Sequence, residues 1–117
     1  MIRQLTPGPY TFILPATSVV PRLVRQKQAT IGVRIPDHPF VQALLESLDA
    51  PLLSSSLILP DPKEEIIDSE DLYDEVYGQV DLFVDAGYCP LEPTTLLDLS
   101  GDQPTVLRRG RGKIDFL

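Results

Sequence analysis

The chain has 117 residues, 43% of them apolar, with a single cysteine, a single histidine and a formal net charge of −7. That length fits one domain with its own core, and no apolar run approaches the roughly 20 residues of a membrane span. One cysteine leaves no internal disulfide framework and, beside one histidine, argues against a structural zinc site.

Residues 1–8 read as short and polar, running into the turn signal Pro7-Gly8-Pro9. YTFIL, 10–14, predicts a buried strand. Thr17 or Ser18 is placed to cap a short helix over 19–26, with Pro21 in its first turn. TIGVRIP, 30–36, predicts a strand from its β-branched residues, and Pro36 stops it. Asp37 or His38 caps the next helix, whose first turn tolerates Pro39. Phe40, Val41, Leu44, Leu45 and Leu48 then form one apolar stripe.

PLLSSSLIL follows and predicts a second strand over 52–59, with three serines inside it. Strand, helix and strand make a βαβ unit, with parallel strands and a right-handed crossover. Ligands of open α/β sheets sit at the carboxyl ends of strands, which singles out Arg34 and Ser54, Ser55 and Ser56. Farther on, Ser69 is placed to cap a helix near 69–77 that Gly78 ends. VDLFVD, 80–85, alternates like a strand. TTLLDL, 94–99, and TVLR, 105–108, predict a hairpin about Ser100-Gly101-Asp102, and Gly110 and Gly112 loosen the tail beyond. About six strands and three helices predict an α/β or α+β layered domain.

The charge is local. Residues 61–75 hold eight acids and one lysine, and the rest of the chain sums to zero. The basic residues include Arg22, Arg25, Lys27 and Arg34, then Arg108, Arg109, Arg111 and Lys113. Such clusters suit either a solvated surface or a polyanion such as RNA. Arg34 either points outward from its strand or forks a carboxylate or phosphate. The serines either bond neighbouring backbone or bind an anion. His38 reads as a helix-start residue, with no spaced partner to make a catalytic pair, so no catalytic residue is assigned. There is no GxxxxGK[ST] loop, no GxGxxG and no nucleophile elbow. The N-terminus lacks the apolar core of a secretory signal, and a reducing cytoplasm is the expected compartment.

The series PGPYTFIL, TIGVRIPDHP, PLLSSSLILP, VDLFVDAGY, EPTTLLDL and VLRRGRG resembles the YrdC/YciO family of L-threonylcarbamoyladenylate synthases, and the YciO branch most. The resemblance implies a YrdC-like twisted mixed sheet with flanking helices and a basic cavity. It implies synthesis of threonylcarbamoyl-AMP and pyrophosphate from ATP, with magnesium, L-threonine and bicarbonate, for the threonylcarbamoyladenosine modification of tRNA. No tightly bound cofactor is implied. Binding of tRNA or double-stranded RNA without catalysis is the alternative, with Arg22, Arg25, Lys27, Arg109, Arg111 and Lys113 as its candidates.

Position by position, Arg34 matches the arginine of the family's VR-P-D-H-P motif. Ser54, Ser55 and Ser56 match the Ser-Thr-Ser of STSAN, whose asparagine falls at Ile58. Thr94 and Thr95 match the Ser-Thr of PST-V-D, and Arg108 matches the arginine of VLR-G. These would bind substrate and nucleotide. The chain aligns with the C-terminal portion of the family's domain, without the strands that carry its Lys-x-Arg phosphate-binding motif. Residues 1–117 are therefore expected to form a single partial domain, incomplete as a catalyst alone. Its open sheet or apolar face would call for self-association or a companion chain.

Overall fold

A computed structural model describes the chain outside residues 19, 22–28, 58–65, 68, 88 and 91. It has two compact units, one of Met1–Ser55 with Pro93–Leu117 and one of Ser56–Glu92. Among the described residues, no helix is long and apolar enough to cross a membrane.

The first unit starts with α1 (Ile2–Leu5), a single turn closed by the Thr6 hydroxyl, which donates to the Ile2 carbonyl at 2.8 Å. Then come β1 (Tyr10–Pro15), β2 (Thr30–Arg34) and α2 (Pro39–Leu48). In the second unit lie β3 (Ile66–Ile67), α3 (Ser69–Val76) and β4 (Cys89–Pro90). The chain returns to the first unit with β5 (Thr95–Asp98) and β6 (Thr105–Arg108).

The first unit is built on a four-stranded sheet in the order β2-β1-β5-β6. β1 runs antiparallel to β2 and parallel to β5, and β5 and β6 form the antiparallel hairpin. Successive residues of a strand point to opposite faces, so the register sorts the side chains. Tyr10, Phe12 and Leu97 share one face and are buried, packed with Ile2, Leu5, Leu14, Leu99 and Val106. Phe12 and Leu97 are fully buried, each worth about 2–3 kcal/mol relative to an exposed side chain. Tyr10 stacks on Phe12 with centroids 6.2 Å apart and meets Phe116 edge-on at 6.3 Å. The apolar half of the alternation in β1 and β5 thus makes the core, and the other half is left for the opposite face.

α2 forms for the reasons its sequence states. His38 caps it, its Nδ1 accepting from the Phe40 N–H at 3.2 Å, and Pro39 occupies the first turn. Asp49 ends it in a left-handed conformation, with its N–H donating to the Leu45 carbonyl at 3.0 Å. Its apolar stripe has no deep burial. Val41, Leu44 and Leu45 are half-buried, while Phe40 and Leu48 are 43% and 47% exposed.

Two expected strands are not seen. Residues 51–57 have no regular structure and are exposed, while 58 and 59 lie outside the described residues. β2 therefore pairs with β1 antiparallel, not with a parallel strand across α2. VDLFVD is likewise irregular, with Leu82 80% exposed. Among the described residues both segments have the pattern of a strand but no partner strand, and pattern alone does not hold an extended chain. The expected helix over 19–26 falls mostly outside the described residues. α1 and the short β3–β4 pair were not anticipated.

In the second unit, Gly78 at φ +78° ends α3, as expected. Tyr73 meets Tyr77 and Phe83 edge-on, at 5.6 and 5.4 Å. The Asp85 carboxyl is held below its ordinary value, chiefly by the Gly87 N–H and then by the Ser69 hydroxyl.

The β5–β6 turn gives a pH prediction. The Ser100 hydroxyl and N–H donate to Asp98 Oδ1 at 2.5 and 2.9 Å, and in that order they lower the carboxyl from its ordinary 3.8. A lowered carboxyl favours the folded turn above the ordinary value and loses that contribution as pH falls through the lowered one. A carbon-detected NMR titration should place the Asp98 midpoint below 3.8, and Ser100→Ala should return it upward. An unchanged midpoint in the variant would contradict this origin.

Candidate functional site

The face opposite the core carries one row across the whole sheet. Arg34 at the end of β2 is opposite Thr11 in β1. Thr11 is level with Leu96 in β5, and Leu96 is opposite Arg108 at the end of β6. Register partners share a face, so a guanidinium stands at each end of the row. Strand spacing of about 4.8 Å puts the two Cα atoms roughly 14 Å apart. Buried Ile13 and half-buried Leu96 supply an apolar floor.

Thr94, just before β5, ties the row together. It is 7% exposed. Its hydroxyl lies 2.7 Å from that of Thr11. Arg108 donates twice to it, Nε to the carbonyl at 3.0 Å and Nη2 to the hydroxyl at 3.2 Å. That fork fixes the plane of the guanidinium and leaves its remaining N–H groups for a ligand.

Arg34 is exposed as a residue, yet its guanidinium is lowered from its ordinary value, first by burial and second by the charge of Arg111. The exposure makes the desolvation partial, and an arginine keeps its charge at any physiological pH. A second cation, Arg111, thus acts on Arg34.

The basic C-terminal segment is fastened, not loose. The Gly110 N–H donates to the Thr95 hydroxyl at 3.1 Å, and that hydroxyl donates to the Gly112 carbonyl at 2.7 Å. The Arg111 N–H donates to the Pro93 carbonyl at 3.0 Å, and the Tyr10 hydroxyl to the Lys113 carbonyl at 2.8 Å. A Cβ at Gly110 would lie 2.2 Å from the Pro93 oxygen, and one at Gly112 2.4 Å from the Tyr10 ring. Both glycines are there for close approach, which corrects the expectation that they loosen the tail.

Of the residues singled out in the sequence, Arg34, Thr94 and Arg108 are brought together about the row. Thr95 lies on the core face, fully buried, its hydroxyl engaged with the segment of Gly110 and Gly112. Ser54, Ser55 and Ser56 lie on exposed irregular chain after α2, Ser54 and Ser55 in the first unit and Ser56 in the second. Arg109, Arg111 and Lys113 are exposed on the fastened segment. Arg22, Arg25 and Lys27 lie outside the described residues, as does Ile58. Thr11 was missed. Its only signal was parity, a polar residue between Tyr10 and Phe12. Among the described residues, no group of His, Cys, Asp or Glu side chains is arranged to hold a metal ion.

A family model named for Sua5, YciO and YrdC, and described as telomere recombination, matches residues 1–110. The chain is 46% identical over 115 residues to the uncharacterized protein YciO of Escherichia coli, covering 97% of this chain and 56% of the relative. The crystal structure of that protein superposes with a TM-score of 0.87. The threonylcarbamoyl-AMP synthase of Pyrococcus abyssi is 28% identical, over 94% of this chain and 32% of the relative. The crystal structure of Pyrococcus abyssi Sua5 complexed with L-threonine superposes with a TM-score of 0.77, at 29% identity, covering 92% of this chain and 32% of that one. The chain thus spans about half the length of YciO and a third of the archaeal protein.

Proposed function

This chain belongs to the Sua5/YciO/YrdC family, and we propose that its row-bearing face binds the anionic groups of threonylcarbamoyl-AMP chemistry. Those groups are the carboxylate of L-threonine and the phosphates of ATP. The single observation that carries the reading is the row itself: two guanidiniums at opposite ends of one sheet face, joined through Thr11 and Thr94. The name of the archaeal relative as a threonylcarbamoyl-AMP synthase supports the choice of ligands.

In the proposed reaction, a threonine N-carboxylate oxygen attacks the α-phosphorus of ATP. A P–O bond to that oxygen forms, the bond to the bridging oxygen breaks, and pyrophosphate leaves with the electron pair. The step calls for no covalent group from the protein. It calls for positioning and for cations against developing charge, which is what fixed guanidiniums supply. Arg108, held in plane by Thr94, would orient one anionic group; Arg34 would hold the other; exposed Ser54 and Ser55 would add hydroxyl contacts. Magnesium enters with ATP as part of the substrate.

Titration calorimetry with ATP tests the reading. Arg34→Ala and Arg108→Ala should each weaken ATP binding by roughly 10–100-fold, the worth of hydrogen bonds to a charged group. Binding unchanged in both variants would overturn it.

A further inference from the structure

The second unit carries a cleft of its own. It has a volume of about 430 Å³ and is lined by Ser69, Glu70, Tyr73, Asp74, Phe83 and Asp85. Clefts that take small ligands run from about 300 to 1,000 Å³. α3 supplies one wall, since Ser69, Glu70, Tyr73 and Asp74 fall at i, i+1, i+4 and i+5, one side of a helix. The chain after Gly78 supplies the rest, with Phe83 and Asp85. The rings of Tyr73 and Phe83 stand at 80° to each other, with centroids 5.4 Å apart. In such a pair the ring that presents its edge keeps both of its π-faces out of the contact. Tyr73 is exposed. The Asp85 carboxyl is fixed in place, its Oδ1 accepting from the Gly87 N–H at 2.8 Å.

We propose that this cleft docks an arginine side chain from a basic segment of a partner polypeptide. The argument is complementarity of charge and of shape. The lining has three carboxylates and, among the described residues, no base. Between Lys63 and Arg108 the sequence has no lysine, arginine or histidine. Acids in the first turn of a helix, here Glu70 and Asp71, suit its dipole, but Asp74 and Asp85 lie beyond that turn. Carboxylates alone would attract any cation, and the rings set the preference. A guanidinium is planar, so it stacks on an aromatic face while its edge forks to a carboxylate. A lysine ammonium is a compact, strongly hydrated charge without that plane. A nucleic acid would be repelled by the same carboxylates, so the partner is a protein segment.

The test is calorimetry on the full chain with a short synthetic peptide of alternating arginine and glycine. The same peptide with lysine in place of arginine should bind at least about threefold more weakly. Tyr73→Leu keeps apolar bulk and removes the π-face, and should weaken the arginine peptide about fivefold. Asp74→Asn should weaken it about threefold. Asp81→Asn, at an exposed acid outside the lining, should leave it unchanged. Thermal melts of each variant show whether the unit stays folded. Asp74 is exposed, so its variant carries the test if Tyr73→Leu unfolds. Equal binding of the two peptides, or equal losses from Asp74→Asn and Asp81→Asn, would mean diffuse attraction of charge and would overturn the proposal. So would a parent chain that binds neither peptide at millimolar concentration. The reading of the row stands or falls separately, since no residue of the cleft belongs to it.

Discussion

Gly110→Ala is expected to destabilise the chain by about 3 kcal/mol and to weaken anion binding at least tenfold, without altering a charged side chain. The added Cβ would lie 2.2 Å from the Pro93 oxygen and 2.5 Å from the Thr94 carbonyl carbon and oxygen. These are backbone atoms, so no rotamer change relieves the collision. The segment must lift, and it then forfeits the bond from Gly110 to Thr95 and that from Arg111 to Pro93. Residual strain of roughly 1 kcal/mol once the segment has lifted, with two lost bonds of about 1 kcal/mol each, gives the total. The melting temperature should fall by roughly 10 °C. Gly101→Ala is the control, since a Cβ there meets nothing within 4 Å. Equal melts for the two variants would mean that the segment is not seated as described.

Thr95→Val is the second large effect, expected at about 2–4 kcal/mol although the two side chains have nearly the same shape. The Thr95 hydroxyl is fully buried between a donor, the Gly110 N–H, and an acceptor, the Gly112 carbonyl. Valine leaves both without their partner, and an unmet buried polar group costs about 1–3 kcal/mol. Thr95→Ser keeps the hydroxyl and should lose only about 1 kcal/mol, for the missing methyl. Hydrogen exchange at the Gly110 amide should quicken in the valine variant and not in the serine one. If valine instead left stability intact and weakened ligand binding, the hydroxyl would be facing ligand, as the family resemblance implies for it.

The parts of the fold that were legible in the sequence are those fixed by near neighbours. Pro39 after His38 marks the start of α2, and the β-rich runs YTFIL and TTLLDL mark β1 and β5, though not which of their residues face the core. Ser100-Gly101-Asp102 marks the hairpin. Illegible were the features decided by distant partners. PLLSSSLIL and VDLFVD have strand-like composition, but a strand exists only beside another, and none is paired with their described residues. The antiparallel pairing of β1 and β2 overrode the parallel unit that strand, helix and strand suggested. For the same reason the glycines at 110 and 112 were misread: from sequence they offer freedom, and only the closeness of Pro93 and Tyr10 shows that they offer contact. In the site, the family resemblance picked out Arg34, Thr94 and Arg108, three residues far apart in sequence that the register brings to one neighbourhood. It could not supply Thr11, whose role depends on facing Thr94 across the β1–β5 pair.

The most direct measurement is an amide NMR titration of the chain with ATP. Binding at the row predicts saturable shifts concentrated at Thr11, Arg34, Thr94 and Arg108, with little change along α3. No shifts at millimolar ATP, or shifts confined to the Ser56–Glu92 unit, would contradict the assignment of this sheet face as the anion site.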